Sequence, residues 1–163
     1  MLHHHRAAPM VLAVSISLFA TCSYAGPGAG PFAGMAGSWS GAGSLTMSNG
    51  MQERLRCRAQ YNVGGSGNEL RLNLRCASES YNFDLGGNVR SNGSTITGSW
   101  NESTRNAAGD VSGRVNGDHI QVVARSDSFS ASLSLVTRGS RQSVAIRPQG
   151  TDVSAVSITL SKG

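Results

Sequence analysis

Charge, aromatic rings and histidine are all scarce in this 163-residue chain, and each scarcity removes a class of function. Charged residues make up 14% and aromatics 6% of it. With abundant Ser, Gly, Asn and Thr, that composition describes neither an acidic disordered tail nor a helical protein. Lysine is nearly absent, Lys162 standing alone beside a basic excess supplied by arginine. Beyond the first thirty residues a single histidine remains, His119 next to Asp118, and strand parity turns it toward solvent. The many serines include no Gly-x-Ser-x-Gly elbow and form no nominated Ser/His/Asp set. The acids Glu53, Glu69, Glu79, Asp84, Glu102, Asp110, Asp127 and Asp152 are scattered. Glu53 alone is turned inward by parity, near a strand end, which a barrel rim explains. No phosphate loop, EF-hand spacing or Cys/His cluster of metal-binding size is present. The residues therefore predict no enzyme, no cofactor and no metal, and nominate no catalytic residue.

A long apolar run is also missing. "VLAVSISLFA", Val11 to Ala20, falls short of the roughly 20 residues of a membrane span. It follows Arg6 and precedes "CSYAG", where Ser23 and Ala25 occupy the small-residue positions of a cleavage site. Residues 1–25 are read as a signal peptide cut after Ala25, which sends the chain to the periplasm or the medium. Phe19-Ala20-Thr21-Cys22 resembles a bacterial lipoprotein box, with Phe19 and Thr21 departing from it, so acylation of Cys22 is the alternative. His3 to His5 fall in the segment removed. Residues 26–36, "GPGAGPFAGMA", read as a poorly ordered Gly/Pro-rich spacer, and 37–163 as one domain.

What is present is alternation. From Met51 to Tyr61 the odd positions are Met51, Glu53, Leu55, Cys57, Ala59 and Tyr61, and the even ones Gln52, Arg54, Arg56, Arg58 and Gln60. That is strand spacing. "ELRLNLRC" repeats it, with Leu70, Leu72, Leu74 and Cys76 on one face. A turn at Ser66-Gly67 sets Tyr61 opposite Leu72, Ala59 opposite Leu74 and Cys57 opposite Cys76. With Cys22 removed these are the last two cysteines, and an oxidising compartment predicts a disulfide between them.

Further turns continue the pattern. Asn92-Gly93 pairs Val89 with Ile96 and Leu85 with Trp100, and Asn116-Gly117 pairs Val111 with Val122. Ser78-Glu79, Ser126-Asp127 and Arg138-Gly139 match Leu74 with Phe83, Val122 with Ala131 and Leu133 with Val144. Asn49-Gly50 and Gly150-Thr151 each need one extra residue. The fold class is all-β: an antiparallel meander of about ten strands closing into a soluble up-and-down barrel. A two-sheet sandwich is one alternative. An outer-membrane barrel, with arginines in the lumen, is another; strands of about 6 to 9 residues, where a membrane wants roughly 9 to 11, argue against it.

Arg54, Arg56, Arg58, Arg71 and Arg75 form a basic patch on the outside of the first long hairpin. Single-strand nucleic-acid platforms interleave aromatics with such charges, but here the aromatics lie on the apolar parity, so nucleic acid is excluded as a partner. An anionic envelope surface or protein fits the patch, but a solvated strand face that also blocks edge pairing is the reading favoured. Inside, Trp39, Tyr61, Tyr81 and Trp100 are expected to line an apolar pocket. Ten strands enclose more room than eight, and small inward residues Ala59, Ala131, Gly98 and Gly113 leave space.

"AGSWSGAGSLTM" near the mature start, with a second Gly-x-Trp in "ITGSWNE", resembles the opening of calycin-type barrels such as lipocalins and avidins. The resemblance implies that Trp39 packs across the barrel's closed end and that a small apolar ligand is held inside. The chain also looks like small exported proteins of Gram-negative bacteria, which implies a compartment. Periplasmic inhibitors of secreted metalloproteases are similar small barrels with one disulfide and an early Gly-x-Trp, although both cysteines here share one hairpin. Three classes of function follow: a carrier of a small apolar ligand, an inhibitor or binding module using loops or the basic face, and a structural envelope protein.

Overall fold

The computed structural model describes residues 29–163. Ten strands follow one another: β1 (Gly37–Met47), β2 (Gln52–Gly64), β3 (Glu69–Ala77), β4 (Asn82–Asn92), β5 (Thr95–Glu102), β6 (Ala107–Asn116), β7 (His119–Arg125), β8 (Ser130–Arg138), β9 (Arg141–Gln149) and β10 (Val153–Lys162). Each pairs antiparallel with its sequence neighbours, and β10 pairs with β1 to close the barrel. The sandwich alternative is thereby excluded. The expected signal peptide, 1–25, with Cys22 and the His3–His5 tract, lies outside the described residues.

Burial decides which of the two alternating faces is inside. Along β2, Leu55, Cys57, Ala59 and Tyr61 are buried while Arg54, Arg56, Arg58 and Gln60 are exposed. Burying the apolar set removes it from water, at about 25 cal/mol for each Å², and closure leaves no open edge for another chain to pair with. The outer-membrane alternative needs the reverse arrangement, and the burial contradicts it. Strand length does not separate the two arrangements: the strands run from 7 residues in β7 to 13 in β2, longer than the sequence reading allowed.

The β2–β3 register is as expected, with Tyr61 opposite Leu72 and Ala59 opposite Leu74. Cys57 faces Cys76 and the two form a disulfide, their Cα atoms 4.2 Å apart. A bonded pair at this position points to an oxidising environment. The three-residue excursions between β1 and β2 and between β9 and β10 are also present, since Thr46 pairs with Gln52 and Val156 with Ile146.

Five other hairpins differ from expectation by two residues. Val89 faces Gly98 and Leu85 faces Glu102, in place of Ile96 and Trp100. Val111 faces Ala124, Leu74 faces Leu85, Val122 faces Leu133 and Leu133 faces Ile146. In three of these hairpins glycine is the first central residue of the turn, at Gly93-Ser94, Gly117-Asp118 and Gly139-Ser140, with φ of 58°, 59° and 56°. A positive φ at the first position alone is the II′ geometry, whereas the expectation placed Asn or Arg there and glycine second. The other two hairpins have four-residue loops, Ser78 to Tyr81 and Ser126 to Phe129, each closed by a backbone hydrogen bond. A shift of two preserves every face, so the core survives the error.

The stretch expected to be a loose spacer is packed where it is described. Phe32, which precedes a short 3₁₀ turn, Ala33–Met35, is 1% exposed, and Met35, which ends it, 2%. Backbone bonds from Gly30 N to Ser66 O and from Phe32 N to Gly67 O tie it to the β2–β3 turn. This segment seals one end of the barrel with apolar side chains; its Gly/Pro-rich neighbours hid two large hydrophobes spaced to point the same way.

Candidate functional site

The two ends of the barrel are chemically different. At the sealed end Trp39 donates from Nε1 to Met35 O at 2.7 Å and meets Tyr61 edge-on, ring centroids 6.3 Å apart. Lys162 Nζ lies 5.6 Å from the Trp39 ring centre, on its outer side. Tyr61 donates its hydroxyl to Gln142 Oε1 at 2.6 Å, and Gln142 Nε2 donates to Thr137 Oγ1. Gln142 is 1% exposed, so its amide bridges β2 to β9 in the interior. Burial pushes the Tyr61 phenol far above its usual range, the hydrogen bond to Gln142 opposing this only in part.

Beyond this plug lies a cavity of about 440 Å³ that runs to the opposite end. Phe32 and Met35 form its floor, and Leu72, Leu85, Val122 and Leu135 are among its walls. Tyr81 and Trp100, both expected at the pocket, line it; Trp39 and Tyr61 do not, because they are spent on closing the other end. Trp100 is fixed by Phe129, at 5.4 Å between ring centres, and by its Nε1 donating to Arg125 O.

Space comes from Ala107, Ala124, Ala131 and Gly87. Of the small residues expected to provide it, only Ala131 does. A Cβ on Gly98 would stand 2.7 Å from Val89 Cα, and one on Gly113 2.6 Å from Val122 Cα. Those two glycines let neighbouring strands approach, and Ala59 packs under β1 and β3.

The mouth carries the polar groups. Glu102, at the end of β5, accepts from the backbone N–H groups of Asp84, Thr104 and Arg105 and from the Thr104 hydroxyl. Burial works against its charge, but those bonds outweigh it and hold the carboxyl below its ordinary value. Arg105 follows in the loop between β5 and β6. Its Nη1 donates to Asn82 O at 3.0 Å and to Thr104 Oγ1 at 2.8 Å and lies 3.5 Å from Glu102 Oε2, while the guanidinium sits 4.2 Å over the Tyr81 ring. Sequence reasoning missed both residues as site residues: a Glu at a strand end and an Arg in the loop after it carry no period, and only the short spacing to Thr104 hinted at a capped turn. On the rim, Glu53 accepts from the hydroxyls of Ser78 and Ser80 and the Ser80 N–H, the Ser78 bond chief among causes that lower its pKa.

The basic patch lies on the outer wall, apart from the cavity. Among the described residues Arg54, Arg56 and Arg58 form no ion pair, whereas Arg75 pairs with Asp84 at 2.7 Å and Arg71 donates to Asn88 Oδ1. His119 is exposed on the outer wall, 3.2 Å from Ser134 Oγ.

The closed ten-stranded antiparallel barrel is the architecture that the alternation led us to expect. Solved structures share it: Rv2717c from M. tuberculosis superposes with a TM-score of 0.61 at 13% identity, covering 80% of this chain and 94% of that one. The S-type phycobiliprotein lyase CPES from Guillardia theta does so with a TM-score of 0.56 at 12% identity, covering 81% and 90%. These likenesses are to the fold. No family profile matches the chain, and no curated protein does. The lyase corrects one expectation: a protein named as an enzyme uses this barrel, so the lack of a recognisable catalytic set does not remove enzymatic activity.

Proposed function

We propose that this is an exported protein whose barrel holds a small apolar ligand, entering at the mouth and contacting Tyr81 and Trp100. The observation that supports it is the cavity of about 440 Å³, whose walls are almost wholly apolar and whose few polar groups gather at one end. Apolar walls with sparse, grouped polar handles are the usual character of a ligand site, in the usual size range of roughly 300 to 1,000 Å³. Mass spectrometry of what denaturation releases from the native protein tests it, together with titration by a neutral apolar fluorophore. Replacing Ala124 with Leu places a larger side chain in the wall and is expected to weaken fluorophore binding at least tenfold while unfolding stays cooperative; unchanged binding would locate the ligand elsewhere. Removal of residues 1–25 on export belongs to the same reading. Recovery of a chain beginning near Gly26 supports it, and an acylated Cys22 contradicts it.

A second reading concerns the outer wall. Three arginines that form no ion pair among the described residues, at alternate positions of β2, suit an anionic lipid surface, each interaction being worth about 1 kcal/mol near such a surface. Arg54, Arg56 and Arg58 exchanged together for Ser is expected to leave folding intact and abolish sedimentation with phosphatidylglycerol vesicles. If the unaltered protein does not sediment with them, these arginines form only a solvated strand face.

A further inference from the structure

We propose that the cavity's ligand is an amphiphile with an apolar body and a carboxylate head, and that Arg105 grips that head at the mouth. The inference rests on the cavity reading above and adds the polarity and charge of the ligand's exposed end.

Among the described residues two ionised side chains line the cavity, Glu102 and Arg105, and they are not equally free. Glu102 Oε1 takes the N–H groups of Asp84 and Thr104 and the Thr104 hydroxyl, and Oε2 takes the Arg105 N–H. Its lone pairs are committed to the loop, which leaves little for a cationic ligand. Arg105 is committed on one side only. Nη1 serves Asn82 O, Thr104 Oγ1 and Glu102, while Nε and Nη2 have no protein partner among the described residues. That pair of parallel N–H groups is the edge that receives a carboxylate through two bonds.

The guanidinium is also held in place before any ligand arrives. Stacking on Tyr81 and three contacts at Nη1 fix its plane, and its side chain is 44% exposed at the cavity opening. An anion there keeps partial access to water, so binding it does not require full desolvation. Meanwhile the apolar body has the length of the cavity, down to Phe32 and Met35, to occupy. The floor offers no second charge: Tyr61 and Gln142 satisfy each other behind it.

The test compares two molecules of one chain length. Delipidated protein at neutral pH is titrated with dodecanoate and with dodecanol, each displacing the same neutral apolar fluorophore. Dodecanoate is expected to bind roughly tenfold tighter or more, the worth of a charge-assisted hydrogen bond. In Arg105→Gln the ratio is expected to fall to about one, and in Arg105→Lys, which keeps the charge and loses the fork, to an intermediate value. Arg114→Gln removes the same charge from the outer wall of β6 and is expected to keep the native ratio. Equal affinity of the two molecules for the unaltered protein would overturn the carboxylate inference and leave the cavity reading standing. Retained preference in Arg105→Gln would overturn the role of Arg105. Failure of fluorophore, dodecanoate and dodecanol alike to bind would overturn both readings.

Discussion

Removing the Tyr61 hydroxyl tests whether the sealed end is a structural plug separate from the cavity. Tyr61 and Gln142 are 3% and 1% exposed, and their hydrogen bond, 2.6 Å long, joins strands on different sides of the barrel. Tyr61→Phe keeps the ring and its edge contact with Trp39 but leaves Gln142 Oε1 without a donor in a dry interior. The expected cost is about 1 to 3 kcal/mol, the penalty for a buried polar group left unpaired. For a domain of this size each kcal/mol lowers Tm by roughly 3 °C. Gln142→Leu is expected to cost a similar amount, because it strands the phenol and deprives Thr137 Oγ1 of its donor. Combining the two removes both partners, so the double variant should lose at least about 1 kcal/mol less than the sum. Urea unfolding followed by tryptophan fluorescence measures all three. Additivity within about 0.5 kcal/mol would refute the reasoning, as would loss of apolar fluorophore binding in the folded variants, since neither residue lines the cavity.

Two further outcomes are expected. Replacing Cys57 and Cys76 together with Ala opens a link spanning 19 positions and should destabilise by roughly 3 kcal/mol, read as a lower urea midpoint; equal stability would mean that the β2–β3 register holds without it. Glu53 and Glu102 both have folded pKa values below their ordinary 4.5, so the unfolded chain binds more protons than the folded one as pH falls. Their stabilisation is present above pH 4.5 and is lost below it; the urea midpoint should drop in that window, less so in Glu102→Gln, and an unchanged drop in that variant would discount the mouth loop.

The architecture was legible because alternation is a property of neighbours: "QERLRCRAQY" separates an apolar from a polar face without reference to the rest of the chain. The same alternation, taken twice, located the disulfide. Register elsewhere was harder. Moving a turn by one residue moves the pairing by two and leaves every face unchanged, so apolar matching could not distinguish Val89 against Ile96 from Val89 against Gly98. The informative residues were the ones after glycine, Ser94, Asp118 and Ser140, which suit the second place of a II′ turn. The cavity was anticipated from strand number, but its lining only in part: Tyr81, Trp100 and Ala131 line it, and Trp39 and Tyr61 do not. Bulky Trp39 and Tyr61 looked like lining until Phe32, Met35 and Gln142 appeared beside them as a plug, and Gln142, a polar residue on an apolar face, declares its partner only in three dimensions.

Nine of the ten strand pairings join consecutive strands; the tenth joins the first to the last, with Trp39 opposite Lys162. Hairpins between neighbours can form as the chain emerges, because each closes only a short loop. The closing seam requires the end of β10, and its entropy cost is that of a loop nearly the length of the domain. Until then β1 and β9 present unpaired edges. A chain crossing a membrane from its amino end would therefore hold an open, edge-exposed sheet for the duration of transit and become a barrel only on release, which makes β10 the strand on which protection from edge-to-edge aggregation depends.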